Sequence, residues 1–148
     1  MSAATPTRTD AERLLRQLAD PRAELITTTS RALFESEALA AAFQKAGWFA
    51  TRVDRAPVFN KVTLLHAIYQ ACRFPAYFGF NWDALRDCLT DFSWQPAHGY
   101  VLLFQNLELL QTRAPDEHGV LLDVLGEARD IWAEASGVPF RVLLATAA

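Results

Sequence analysis

Residues 77–94 read YFGFNWDALRDCLTDFSW. Asn81 is a good N-cap, and the spacing predicts a helix over 82–92. Leu85, Leu89 and Phe92 then form its buried seam. Asp83, Asp87 and Asp91 stand in one row on another side, with neighbouring Cβ atoms about 5–6 Å apart. Like charges at that spacing weaken a helix by a few tenths of a kcal/mol per pair, so about 0.3 kcal/mol each. The helix dipole favours Asp83 near the N-terminus and disfavours Asp91 at the other end. Arg86 relieves Asp83, yet the stretch still sums to −2.

Two readings of this row stay open from charge alone. One is an ordinary solvated helix face. The other is a contact surface, and the aromatic residues favour it. Tyr77, Phe78, Phe80, Trp82, Phe92 and Trp94 cannot all join the Leu85/Leu89 seam, so some rings are expected at the surface. Exposed rings beside acids have the composition of a protein-binding site. The rings would supply buried area, and the acids would select a basic partner and speed encounter.

Outward from this stretch, helices and strands alternate. Residues 1–8 read as a loose tail. Thr9 and Glu12 have capping-box spacing for a helix that Pro21 ends. AELITTTS (23–30) is β-branched and reads as a short strand. SEALAAAFQKAG (36–47) reads as a helix stopped by Gly47. WFATRVD (48–54) alternates as a strand does. KVTLLHAIYQACRF (61–74) reads as an amphipathic helix burying Val62, Leu65, Ile68 and Cys72. FPAYFGF (74–80) is turn-rich. GYVLLFQ (99–105) suits a fully buried strand. Pro115, Asp116 and Glu117 open a long helix to Ser136, with Val120, Leu121, Val124, Leu125, Ala128, Ile131 and Trp132 as its buried face. Gly137 and Pro139 end it, and FRVLLAT (140–146) is a last buried strand. Strands separated by helices predict an α/β layer with a mainly parallel sheet.

The bulk numbers exclude several classes. The chain has 148 residues, a hydrophobic content of 51% and a net charge of −3. It can bury a real core as one domain. It lacks the basic surplus of a nucleic-acid binder, so no direct nucleic-acid contact is expected. No apolar run approaches the length of a membrane span. The N-terminus shows no apolar signal region, so a reducing, cytoplasmic location is expected. Cys72 and Cys88 form neither a disulfide framework nor a zinc motif and read as small buried residues.

FPAYFGFNWDALRDCLTD (74–91) resembles the signature of the barstar family, small intracellular inhibitors of ribonucleases such as barnase. The shared run is a proline, an aromatic pair, glycine, asparagine, Asp-Ala-Leu and Asp-Cys-Leu-Thr. A weaker resemblance in element order runs from about residue 48 to 146. It implies a barstar-like α/β fold, a small mainly parallel sheet of three to four strands packed with helices. Residues 48–148 would form that domain. Residues 1–47 would be an extension of helix, strand and helix packed on it.

The resemblance also implies a site. The family's acidic helix and the loop before it plug a ribonuclease active site. Tyr77, Gly79 and Asn81 match the contacting loop, and Trp82 stands where barstar has leucine. Asp83, Asp87 and Thr90 match helix contacts, and Asp87 fills the position whose carboxylate occupies the enzyme's phosphate site. Glu127, in GEARD, matches an acidic contact on the long helix. Arg86 and Phe92 replace tryptophans at the same face, and Phe80 replaces a glutamate. The implied role is inhibition of a barnase-type ribonuclease, in the manner of an antitoxin or immunity protein. The implied partner is a basic enzyme. No catalytic residue, cofactor or metal is expected, and the expected state is a monomer. The alternative is a barstar-fold adaptor that binds some other basic protein through the same face.

Other constellations carry less. Asp83 and Asp87 are close enough for acid–base work, but catalytic pairs sit in clefts, and this helix reads as exposed. His66, His98 and His118 fall on three separate segments, which argues against a metal site. Asp123, Asp130 and Glu134 read as a solvated face of the long helix.

Overall fold

In the computed structural model, which describes residues 5–146, four parallel strands form one sheet in the order β1-β4-β3-β2. The elements along the chain are α1 (Arg8–Ala19), β1 (Ile26–Thr29), α2 (Arg31–Phe34), α3 (Glu37–Lys45), β2 (Trp48–Arg52) and α4 (Lys61–Ala71). They continue as α5 (Trp82–Leu89), β3 (Gly99–Phe104), α6 (Glu108–Arg113), α7 (Pro115–Ala135) and β4 (Phe140–Ala145). The expected α/β architecture with a parallel sheet is present.

The sheet carries helices on both faces, and the crossover rule gives the reason. Parallel crossovers share one hand. The β2-to-β3 and β3-to-β4 connections step across the sheet in one direction, and the β1-to-β2 connection steps back the other way. Connections in opposite directions keep one hand only if they use opposite faces. Accordingly Phe34, Leu39 and Phe43 of the first connection pack on Val101 and Leu143 with Leu14 and Leu18 of α1. Leu65 and Ile68 of α4, Leu85 and Leu89 of α5, and Val124 and Leu125 of α7 pack on Tyr100, Leu102, Phe140 and Val142.

A buried arginine ties α1 to the sheet. Arg141 on β4 is 3% exposed. Its guanidinium donates to the carbonyls of Leu18 (2.9 Å), Asp20 (3.0 Å) and Phe140 (3.0 Å). It thereby satisfies carbonyls left open at the α1 C-terminus.

Several local readings are corrected. The α1 capping box uses Thr7 and Asp10, with Asp10 N on Thr7 Oγ1 at 3.1 Å and Thr7 N on Asp10 Oδ2 at 2.9 Å. Thr9 lies inside the helix, so the helix begins within the expected tail. Residues 1–4 of that tail lie outside the described residues. Val62 is 63% exposed and Ile131 42%. Val62 points well away from the Leu64/Leu65/Ile68 stripe, and Ile131 sits on the flank of the α7 stripe. α4 stops at Ala71 and α5 at Leu89, each three residues before the expected end. The short helices α2 and α6 have no counterpart in the sequence reading. Ser30, read as the end of a strand, caps α2 by accepting from Leu33 N at 3.2 Å.

Candidate functional site

The α5 segment is fixed from below. Asn81 Oδ1 accepts from Ala84 N at 2.8 Å, while its amide donates to Gly79 O at 3.2 Å. That cap is worth about 1 kcal/mol and sets where the helix starts. Leu85, Cys88 and Leu89 are buried beneath it. Full burial of each leucine contributes about 1.5–3 kcal/mol. Trp132 Nε1 of α7 donates to Leu89 O at 2.8 Å and pins the two helices together. The Thr90 hydroxyl donates to Arg86 O at 2.9 Å, so it is committed to the helix end.

Asp83 and Asp87 are the acids that α5 presents; both are exposed. Asp91 lies beyond the helix and accepts from Ser93 Oγ at 3.3 Å. The row of three carboxylates is therefore a pair. Arg86 is shared by two acids, at 3.0 Å from Asp83 Oδ1 and in a close ion pair with Glu127 on α7. The hydrogen bond and charge of Glu127, and then those of Asp83, raise its pKa further. Arg86 thus bridges two helices within the acidic face. The side chain of Asp87 has no hydrogen bond or ion pair among the described residues.

The loop before α5 supplies the rings. Tyr77 is 74% exposed. Trp82 is half-buried against the core, and Lys61 Nζ lies 5.6 Å from its ring centroid, a cation–π contact. Phe78 is buried. Phe80 is 39% exposed and adopts φ 51. It stacks on Tyr69 with centroids 5.1 Å apart and lies tilted against His66 at 4.5 Å. Phe80 belongs on this surface although the sequence reading did not select it. Nothing in the sequence signals a left-handed phenylalanine, whose ring direction follows from that backbone.

Phe92 is the one proposed contact that the fold removes from the surface. It is 1% exposed, its φ is 47, and it stacks on Tyr100 with centroids 4.4 Å apart. The left-handed turn after α5 swings its ring into the core. The other candidates, Tyr77, Gly79, Asn81, Trp82, Asp83, Arg86, Asp87, Thr90 and Glu127, are exposed or half-buried.

The family described as Barstar (barnase inhibitor) matches residues 48–145. The chain belongs to the barstar family. The match covers β2 to β4 and contains the whole α5 face, whereas α1 to α3 and β1 precede it. No curated protein matches the chain. Members of the family are inhibitors and not enzymes. The family likeness points to a ribonuclease as partner.

Among the described residues, no group of His, Cys, Asp and Glu could hold a metal ion. No helix there is long and apolar enough to cross a membrane. Cys72 and Cys88 are free and buried, and burial raises both thiol pKa values. Neither is suited to nucleophilic work.

Proposed function

We propose that the chain inhibits a barnase-type ribonuclease by laying α5 and the loop 75–81 over the enzyme's active site. The observation that carries this reading is Asp87, an exposed carboxylate left unpaired one turn from Asp83 on an acidic face. An enzyme site that holds RNA phosphate offers cationic donors, and a fixed carboxylate takes the place of phosphate there. Tyr77, Phe80 and Trp82 flank it with apolar area. Gly79 and Asn81 shape the loop edge. Asp83, Thr90 and Glu127 extend the polar rim, and Arg86 holds Asp83 and Glu127 in place. The inhibitor acts by occupancy, inside the cell that makes the enzyme, in the manner of an immunity protein.

The experiment is titration of a panel of barnase-type ribonucleases with the parent and with Asp87→Ala. The parent should inhibit stoichiometrically. The variant should fold normally and bind at least about 2 kcal/mol more weakly, roughly 30-fold, because cationic donors of the enzyme are left buried and unpaired. Equal inhibition by Asp87→Ala would refute the phosphate-mimic role. Arg86 and Phe80, where the family has tryptophan and glutamate, favour a second reading, an adaptor for another basic protein. Inhibition of no panel member would support it.

A further inference from the structure

A groove of the opposite charge runs between the edge strand β2 and α4. Arg52, Arg55, His66 and Arg73 line it, and no aspartate or glutamate does, in a chain of net charge −3. Arg52 is committed to Asp54 at 2.8 Å and Glu35 at 3.0 Å. Arg55 and Arg73 are exposed and have no ion pair among the described residues.

The wall of the groove is an unpaired strand edge. β2 pairs only with β3. Val53 N donates to Leu103 O at 2.9 Å. Backbone groups alternate sides along a strand, so the amides and carbonyls of Ala50 and Arg52 point away from β3. Both residues line the groove. An open strand edge beside cations accepts an extended chain carrying acids.

Arg73 supplies an independent observation. α3 and α7 end on Gly47 and Gly137, at φ 75 and 72. α4 ends with the same kind of turn, Arg73 N on Gln70 O at 3.3 Å and Phe74 N on Tyr69 O at 3.1 Å. The residue in the left-handed position is here Arg73, at φ 55. A side chain is strained at that φ and glycine is not. The chain thus holds an arginine over the groove where glycine would be more stable, and unlike Phe92 its exposed side chain has no core burial to offset that strain.

We propose that this groove binds an extended acidic segment of a partner protein, added as a strand to β2 with its carboxylates on Arg55 and Arg73. A peptide fits better than a nucleic acid. The lining holds no Phe, Tyr or Trp on which bases could stack, and the free amides and carbonyls match another backbone. The groove shares no residue with the α5 face and does not depend on ribonuclease inhibition.

The test is fluorescence anisotropy with a labelled peptide of alternating glutamate and valine. Saturable binding is expected, with affinity falling as salt rises. It should weaken at least about tenfold in the Arg55→Ala/Arg73→Gly double variant and with a peptide whose alternate amides are N-methylated. Glycine keeps the α4 turn, so the double variant should melt no lower than the parent. The proposal is overturned if the parent does not bind the peptide, or if a lysine–valine peptide binds equally well. It is overturned too if the double variant or the N-methylated peptide binds like its parent. Displacement of the peptide by a short uridine oligonucleotide at lower concentration would make the groove a nucleic-acid site. A concentration-dependent dimer lost in the double variant would make a second copy the occupant.

Discussion

Arg86 and Asp87 are adjacent on α5 and do opposite things. Arg86 is drawn inward by Asp83 and Glu127, while Asp87 stands alone. Arg86→Ala removes the cation from the acidic face and loosens two acids. Because the pairs are solvent-screened, the thermal midpoint should stay almost unchanged. Association with a basic partner should speed up several-fold at low salt and converge with the parent at high salt, as stopped-flow mixing would read. A slower association would mean that the guanidinium itself touches the partner. Phe92 is the contrasting residue. Its left-handed backbone costs about 1–2 kcal/mol. Burial of the ring stabilises by about 1.5–3 kcal/mol, and stacking on Tyr100 adds to that. Phe92→Ala should therefore cost about 3–5 kcal/mol of stability in denaturant unfolding. Partner affinity per folded molecule should be preserved, and a selective loss of affinity would restore Phe92 to the contact surface.

At the scale of elements, α1 is the helix most dependent on exposed carboxylates. The backbone and hydroxyl of Thr7 lower the pKa of Asp10, Arg8 lowers that of Glu12, and Arg22 lowers that of Asp20. A carboxyl whose folded pKa lies below its unfolded one contributes stability above the unfolded value, and the contribution fades as pH falls through the folded value. Amide exchange in α1 should therefore accelerate relative to α7 as pH drops from about 4 toward 2. Equal protection of both helices through that window would show that burial of Leu14 and Leu18 alone holds α1. Element types were legible in the sequence because caps and apolar periods are local. Asn81 and Gly47 did mark a start and a stop. The ends of α4 and α5 were not legible, since Arg73 and Phe92 are poor left-handed residues by propensity and neither reads as a stop signal.

At the scale of the whole molecule, charge is segregated and the sheet is covered twice. Asp83 and Asp87 of α5 and Glu127 of α7 lie on one side, and Arg55 and Arg73 line the β2 edge groove. The family match begins at Trp48, yet Val101 and Leu143 on the matched strands are buried by Leu14, Leu18, Phe34, Leu39 and Phe43. A chain cut to residues 48–148 would expose that apolar face and lose the bonds from Arg141 to the Leu18 and Asp20 carbonyls. Each large side chain contributes about 1.5–3 kcal/mol when buried, against a net domain stability of about 5–15 kcal/mol. The truncated chain should fail to fold as a monomer, seen as dye binding to apolar surface and association in sedimentation. A cooperative, monomeric 48–148 chain would show instead that residues 1–47 are a dispensable addition.

The sequence by itself determined the order of the strands and of the longer helices, the parallel class of sheet and the stretch that carries the family likeness. All of these rest on short-range periodicity, caps and residue identity. The tertiary structure alone decided which side chains reach the surface. Phe92 went inward onto Tyr100 and Phe80 stayed partly exposed against Tyr69 and His66, because the left-handed backbone at each sets where its ring points. Arg86 met Glu127 because α5 and α7 pack side by side, a contact between residues 41 apart that no local pattern encodes. The groove of arginines exists because β2 ends as an edge strand, and its place in the sheet is a matter of which strands pair rather than of the sequence of any one strand.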